Sequence, residues 1–161
     1  LGLSIYHGNS GQDQVGSDVA TTIFEAHGEL SAGPLALRAL FAQAQLDDVA
    51  ELDAALGLAG ADTIGEVVRG GYLEVSCDLA AFSMCATDES LTPFVRFESY
   101  DTQAEVPAGF SRDPANSVEV MTYGIAYKPS PNVVFKIDFN DFENDAGSAV
   151  DQFDVSLGYS F

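Results

Sequence analysis

The chain closes on Val150-Asp-Gln-Phe-Asp-Val-Ser-Leu-Gly-Tyr-Ser-Phe161, and this stretch decides how the rest is read. Its apolar residues fall at Phe153, Val155, Leu157, Tyr159 and Phe161, with Asp154, Ser156, Gly158 and Ser160 between them. Alternation with period two makes a strand with one apolar and one wet face. A strand of a soluble domain rarely stops on an exposed aromatic. Tyr159 and Phe161 instead suit a strand whose apolar face meets lipid, with aromatic side chains at the interface.

Working outward, seven earlier segments alternate in the same way. Residues 1–8 set Leu3 and Ile5 against Ser4 and Tyr6. Residues 21–30 set Phe24, Ala26 and Leu30 against Glu25, His27 and Glu29, and residues 35–41 set Leu35, Leu37, Ala39 and Phe41 against Arg38. A fourth segment, ending near residue 79, has Leu73, Val75 and Cys77 opposite Tyr72, Glu74, Ser76 and Asp78. Gly70 and Gly71 mark a bulge or bend in it. In residues 91–100, Val95 and Phe97 oppose Arg96 and Glu98. The sixth segment, ending at residue 127, has Met121, Tyr123, Ile125 and Tyr127 against Thr122, Gly124 and Ala126. The seventh has Val133, Phe135, Ile137 and Phe139 against Lys136, Asp138 and Asn140. The expected fold is all-β: an antiparallel transmembrane β-barrel with about eight strands in residues 1–161, read as one domain.

Loop lengths support that reading. Residues 31–34 and 128–132 are tight turns by their Gly and Pro content. They share a side with the segment 78–90, which holds Cys85. The other connections, 9–18, 47–65, 101–116 and 141–149, are longer and acidic. Outer-membrane barrels keep short turns in the periplasm and long loops outside. Within the second long loop, residues 47–57 predict a short helix, with Val49, Leu52 and Leu56 at helical spacing and Gly57 as the stop.

The composition bounds the function classes. With 161 residues, 47% hydrophobic and 19% charged, the chain has too much apolar content for disorder. No apolar run approaches the roughly 18 residues of a transmembrane helix, which does not bear on barrel strands. A formal net charge of −19 argues against nucleic acid as a partner. Leu1 stands in mid-alternation, so the chain reads as the C-terminal part of something longer. Cys77 and Cys85 read as a local disulfide in an oxidising compartment, closing a loop whose entropy is worth up to ~2–3 kcal/mol. Two thiols and two scattered histidines make no metal cluster, and no cofactor is expected. Asp141-Phe-Glu-Asn-Asp145 hints at calcium, but Ala146 and Gln152 stand where a calcium loop needs Gly and Glu. His7 and His27 have no nucleophile and orienting acid arranged with them, so enzyme activity is not expected.

Thr92-Pro-Phe-Val-Arg-Phe-Glu98, Tyr100-Asp-Thr-Gln-Ala-Glu-Val-Pro107, Tyr127-Lys-Pro-Ser-Pro-Asn-Val-Val-Phe-Lys-Ile-Asp138 with Asp141-Phe142, and Leu157-Gly-Tyr-Ser-Phe161 resemble the phosphate-selective porin (type O and P) family. The likeness covers about the last seventy residues and extends more weakly to residues 35–45. It implies a trimeric, sixteen-stranded diffusion channel of the bacterial outer membrane, with this chain as its C-terminal half. It also implies that Phe161 is the assembly signal read by the barrel-insertion machinery. The implied partners are the lipid bilayer, lipopolysaccharide, and small hydrophilic solutes or ions. Family members that select phosphate use a lysine-rich pore. Here the inward bases are Arg38, Arg96 and Lys136 alone, so phosphate selectivity does not carry over.

The expected pore-lining set is Glu25, His27, Arg38, Glu74, Arg96, Glu98, Lys136, Asp138 and Asp154, with Glu29 and Asp78 as further inward acids. If Leu30 pairs with Leu35, His27 faces Arg38. Arg38 then pairs towards Glu25 or Glu29, and Arg96 with Glu98 or Glu74. The excess of acid predicts a modest cation preference, softened by screening over about 8 Å, with Arg96 the place most open to anions. The competing reading is a small eight-stranded barrel acting as anchor or adhesin. It needs a filled interior, and Gly124, Ala126, Ser156, Gly158 and Ser160 would leave holes. A soluble lipocalin-like carrier would need the aromatics inside and Glu25, Glu98, Asp138 and Asp154 outside.

Overall fold

The computed structural model describes residues 1–10, 19–82 and 89–161. Among the described residues eight strands follow one another: β1 (Gly2–Asn9), β2 (Ala20–Ala32), β3 (Leu35–Leu46), β4 (Val67–Cys77), β5 (Ser90–Glu105), β6 (Ser117–Ser130), β7 (Val133–Asn144) and β8 (Gln152–Tyr159). One helix, α1 (Val49–Leu56), lies between β3 and β4. The strands form a single sheet in chain order, each antiparallel to the next. Among the described residues β1 and β8 have one neighbour each, so the sheet is open at both edges. Among the described residues no helix is long and apolar enough to cross a membrane.

Turn length fixes the register. Pairing in the β2–β3 hairpin runs down to Ala32 opposite Leu35, leaving Gly33 and Pro34 as a two-residue turn. Gly33 has φ +60°, which glycine adopts without steric cost. The expected pairing of Leu30 with Leu35 is therefore off by two residues. Leu30 faces Leu37, His27 faces Leu40, and Arg38 faces Glu29. The 128–132 turn is also tight, but β6 continues to Ser130, and the register shifts between Tyr127 and Ser130. At the opposite end the strands outrun their alternation. β5 extends to Glu105 and β7 to Asn144, so segments expected as loop are paired backbone carrying acidic side chains. The irregularity expected near Gly70 and Gly71 lies beside them, between Val67 and Arg69.

Following the cross-strand partners separates two faces. One carries Leu3, Ile5, Phe24, Leu37, Leu73, Val95, Phe97, Tyr123, Ile137, Phe153 and Leu157, all exposed. The other carries Glu29, Arg38, Glu74, Arg96, Lys136, Asp138 and Asp154, yet it is the more enclosed: Glu74, Ser76, Thr122 and Asp138 are all under a tenth exposed. The sheet curls towards its polar side. A water-soluble sheet does the reverse, hiding its apolar face. The holes expected at two small residues are filled from neighbouring strands. The Phe94 ring lies over Gly124, where a Cβ would collide with it, and Val134 comes within 2.8 Å of a Cβ built on Gly158.

A second, smaller core sits at the long-loop end. Val19 and Val49 are buried there, with Val67 below them. Asp53, fully buried, accepts hydrogen bonds from the Thr63 hydroxyl and from the Ile64 backbone N–H at 3.1 Å. The buried Gln103 amide donates to the carbonyls of Ala61 and Thr63 at 3.0 and 2.6 Å, and its oxygen accepts from Asp113 N–H at 2.6 Å. Ser111 N–H reaches the Gly60 carbonyl at 3.1 Å. The two long connections are thus one hydrogen-bonded unit on the end of β5.

Candidate functional site

The polar face concentrates its charge in one cross-strand row. Glu29 in β2 faces Arg38 in β3, Arg38 faces Glu74 in β4, and Glu74 faces Arg96 in β5. The side chains are joined as the register demands. Arg38 Nε donates to Glu29 at 3.2 Å and its terminal nitrogen to Glu74 at 3.2 Å. Arg96 donates twice to the other Glu74 oxygen, at 3.1 and 2.9 Å. Its remaining nitrogen is 3.7 Å from Glu98, and its guanidinium lies 4.5 Å from the centre of the Tyr72 ring.

Glu74 is the keystone, because it is 5% exposed and holds both guanidiniums. Exposed ion pairs such as Arg38–Glu29 contribute about 0–1 kcal/mol. Losing the buried Glu74 costs more, about 2–3 kcal/mol, because two charge-assisted contacts go together, although Arg38 and Arg96 keep 49% and 35% of their side-chain surface in water. Arg96 spans the two cases, one side on Glu74 and the other over an aromatic face that attracts cations.

The row continues as neutral polar groups. Arg96 faces Thr122 in β6, Thr122 faces Asn140 in β7, and Asn140 faces Gln152 in β8. Thr122 donates to the Asn140 side-chain oxygen at 2.7 Å. Asn140 donates to Asp154 at 2.9 Å and to Asp138 at 3.3 Å, and Gln152 donates to Asp154 at 3.1 Å. Lys136 bridges to Asp138 at 3.0 Å, its ammonium 5.3 Å from the Phe94 ring centre. Glu25 stands apart, bonded to His27 at 2.6 Å and to Ser4 at 3.0 Å.

All nine residues expected to line a pore share this face, in three groups. Arg38, Glu74, Arg96 and Glu98 form the ladder; Lys136, Asp138 and Asp154 form the amide-linked group; Glu25 and His27 pair near β1. Asp78 stands apart from these three groups. Its carboxylate accepts from the backbone N–H groups of Ala80 and Leu91 at 3.1 and 3.3 Å, capping the short turn after β4. The expected Cys77–Cys85 bridge involves Cys85, which lies outside the described residues; Cys77 ends β4 opposite Leu35. Phe161 follows β8 with its ring stacked on Tyr159, centroids 6.3 Å apart. Tyr72, Thr122 and Asn140 join the site beyond the expected set, and the alternation that puts them on the polar face with Glu74, Arg96 and Asp138 is the signal for them.

The chain is similar to an uncharacterized protein of Aquifex aeolicus (strain VF5), 35% identical over 72 residues. The match covers 45% of this chain and 16% of that protein, so the chain spans only a small part of its relative. No protein-family model matches the chain. No solved structure matches it.

Proposed function

We propose that the chain is the wall of a water-filled outer-membrane channel for small hydrophilic solutes and ions. The observation that carries this is the inversion of the sheet, charged side enclosed and apolar side exposed. Exposed apolar patches on soluble monomers rarely pass a few hundred Å². Here the apolar face of all eight strands is uncovered, an arrangement that suits hydrocarbon as the outer solvent. The open edges of β1 and β8 favour a wider barrel over a closed eight-stranded anchor, because an unpaired edge in lipid leaves backbone groups unsatisfied. The Aquifex relative is about 450 residues long, since 72 residues are 16% of it, which leaves room for further strands. The resemblance to phosphate-selective porins carries a trimeric assembly into the same proposal.

With both arginines held by Glu74 and acids in excess, the wall favours cations. The test is the full-length protein in planar bilayers under a KCl gradient. Ohmic steps with a reversal potential on the potassium side are expected. Inserted protein that carries no current would overturn the channel reading.

A further inference from the structure

The polar face is not polar throughout. On the loop side of the ladder, Ile23 pairs with Ala44 and Ala44 with Val68, while in the rows below Ala42 faces Gly70 and Leu40 faces Tyr72. Together they border a hollow of about 450 Å³, closed at its far side by Tyr100 and at its lower edge by Arg96 and Glu98. Its depth comes from side chains that are small or missing. Ala42 and Ala44 give little height, and a Cβ on Gly70 would come 2.7 Å from that of Tyr100, so only glycine leaves the tyrosine where it stands. Arg69, next to Gly70, also borders the hollow, although by register its side chain belongs to the apolar face.

The charge at the edge of the hollow is unequal. Arg96 is committed to Glu74 by two hydrogen bonds and to the Tyr72 ring. The Glu98 carboxylate accepts no hydrogen bond among the described residues, its nearest cation being Arg96 at 3.7 Å. An apolar hollow with an aromatic wall and one available carboxylate matches a solute with an apolar body and a positive end. We propose that this hollow binds small organic cations, alkyl or aromatic ammonium ions, with the body against Ile23, Leu40 and Tyr100 and the charge beside Glu98. The proposal rests on the channel reading, because a solute reaches the hollow only from the enclosed side of the sheet.

The probes are benzyltrimethylammonium, tetramethylammonium and benzyl alcohol, added to the full-length protein carrying potassium current in planar bilayers. Benzyltrimethylammonium should reduce the current at about tenfold lower concentration than tetramethylammonium, and benzyl alcohol should not reduce it. Glu98→Gln should remove the difference between the two ammonium ions, each block being read against that variant's own open-channel current. Tyr100→Phe should keep the difference and Tyr100→Ala should shrink it. Equal block by the two ammonium ions, block by benzyl alcohol, or a difference that survives Glu98→Gln would each overturn the site while leaving a conducting channel in place. Inserted protein without any current would overturn the site and the channel together.

Discussion

From β2 to β5 the ladder answers its carboxylates with guanidinium groups; from β6 to β8 the enclosed face answers them with the amides of Asn140 and Gln152 and the ammonium of Lys136. Glu29 and Glu74 are held by Arg38 and Arg96, which cannot lose their protons or turn an acceptor towards a neighbour. Asp154 is held by Asn140 and Gln152, whose amides can present either a donor or an acceptor. The first region is therefore brittle and the second adaptable. Removing one group from the ladder strands a charge, whereas removing one from the amide network calls for a rotation.

Glu74→Gln should break that comparison most visibly. It leaves Arg38 with Glu29 alone and Arg96 with Glu98 at longer reach, at a cost of about 2–3 kcal/mol of unfolding free energy in urea titration of the detergent-folded protein. On the channel reading its reversal potential should move towards chloride, because two bases lose their shared acid. Glu74→Asp, which keeps the charge, should keep the potassium preference. Gly124→Ala comes next, since the added Cβ meets the Phe94 ring, and about 1–2 kcal/mol should be lost in the same titration. Asp154→Asn tests the adaptable side. Asn140 and Gln152 can reorient around the new amide, so a loss of at most about 1 kcal/mol is expected, and a loss matching that of Glu74→Gln would erase the distinction. The smallest effect is sought off the wall. Glu119 and Glu143 stand directly opposite each other on the other face, and Glu119→Lys should raise stability by about 0.5 kcal/mol with no change in reversal potential.

The sequence made the strands and their two faces legible because side-chain alternation is a local property. Phe153 to Tyr159 can be read without knowing what lies beside them. Register was less legible, since it hangs on whether the turn after β2 takes four residues or two, and Gly33 allows two. The ends of β5 and β7 were missed where Asp101, Glu105, Asp141 and Glu143 stay paired without apolar alternation. Glu29 was open to a guess as a partner of Arg38, but the choice of Glu74 as shared acid depends on a strand 36 residues away. Gly124 read as a hole for the same reason: the room beside a small residue belongs to its cross-strand neighbour, here Phe94.

The hydrogen-bonded unit formed by residues 47–66 and 106–116 has a consequence for time as well as shape. Loops over an aperture flicker when little holds them, and each excursion registers as noise in whatever passes beneath. Here the Asp53 carboxylate and the Gln103 amide, both buried, would have to give up their backbone partners before either loop could swing. On the channel reading, an entrance fastened in this way behaves as a rim and not as a lid. Solutes would meet the same acidic contour on every approach, and traffic would be set by diffusion and charge, with no rhythm imposed by the protein.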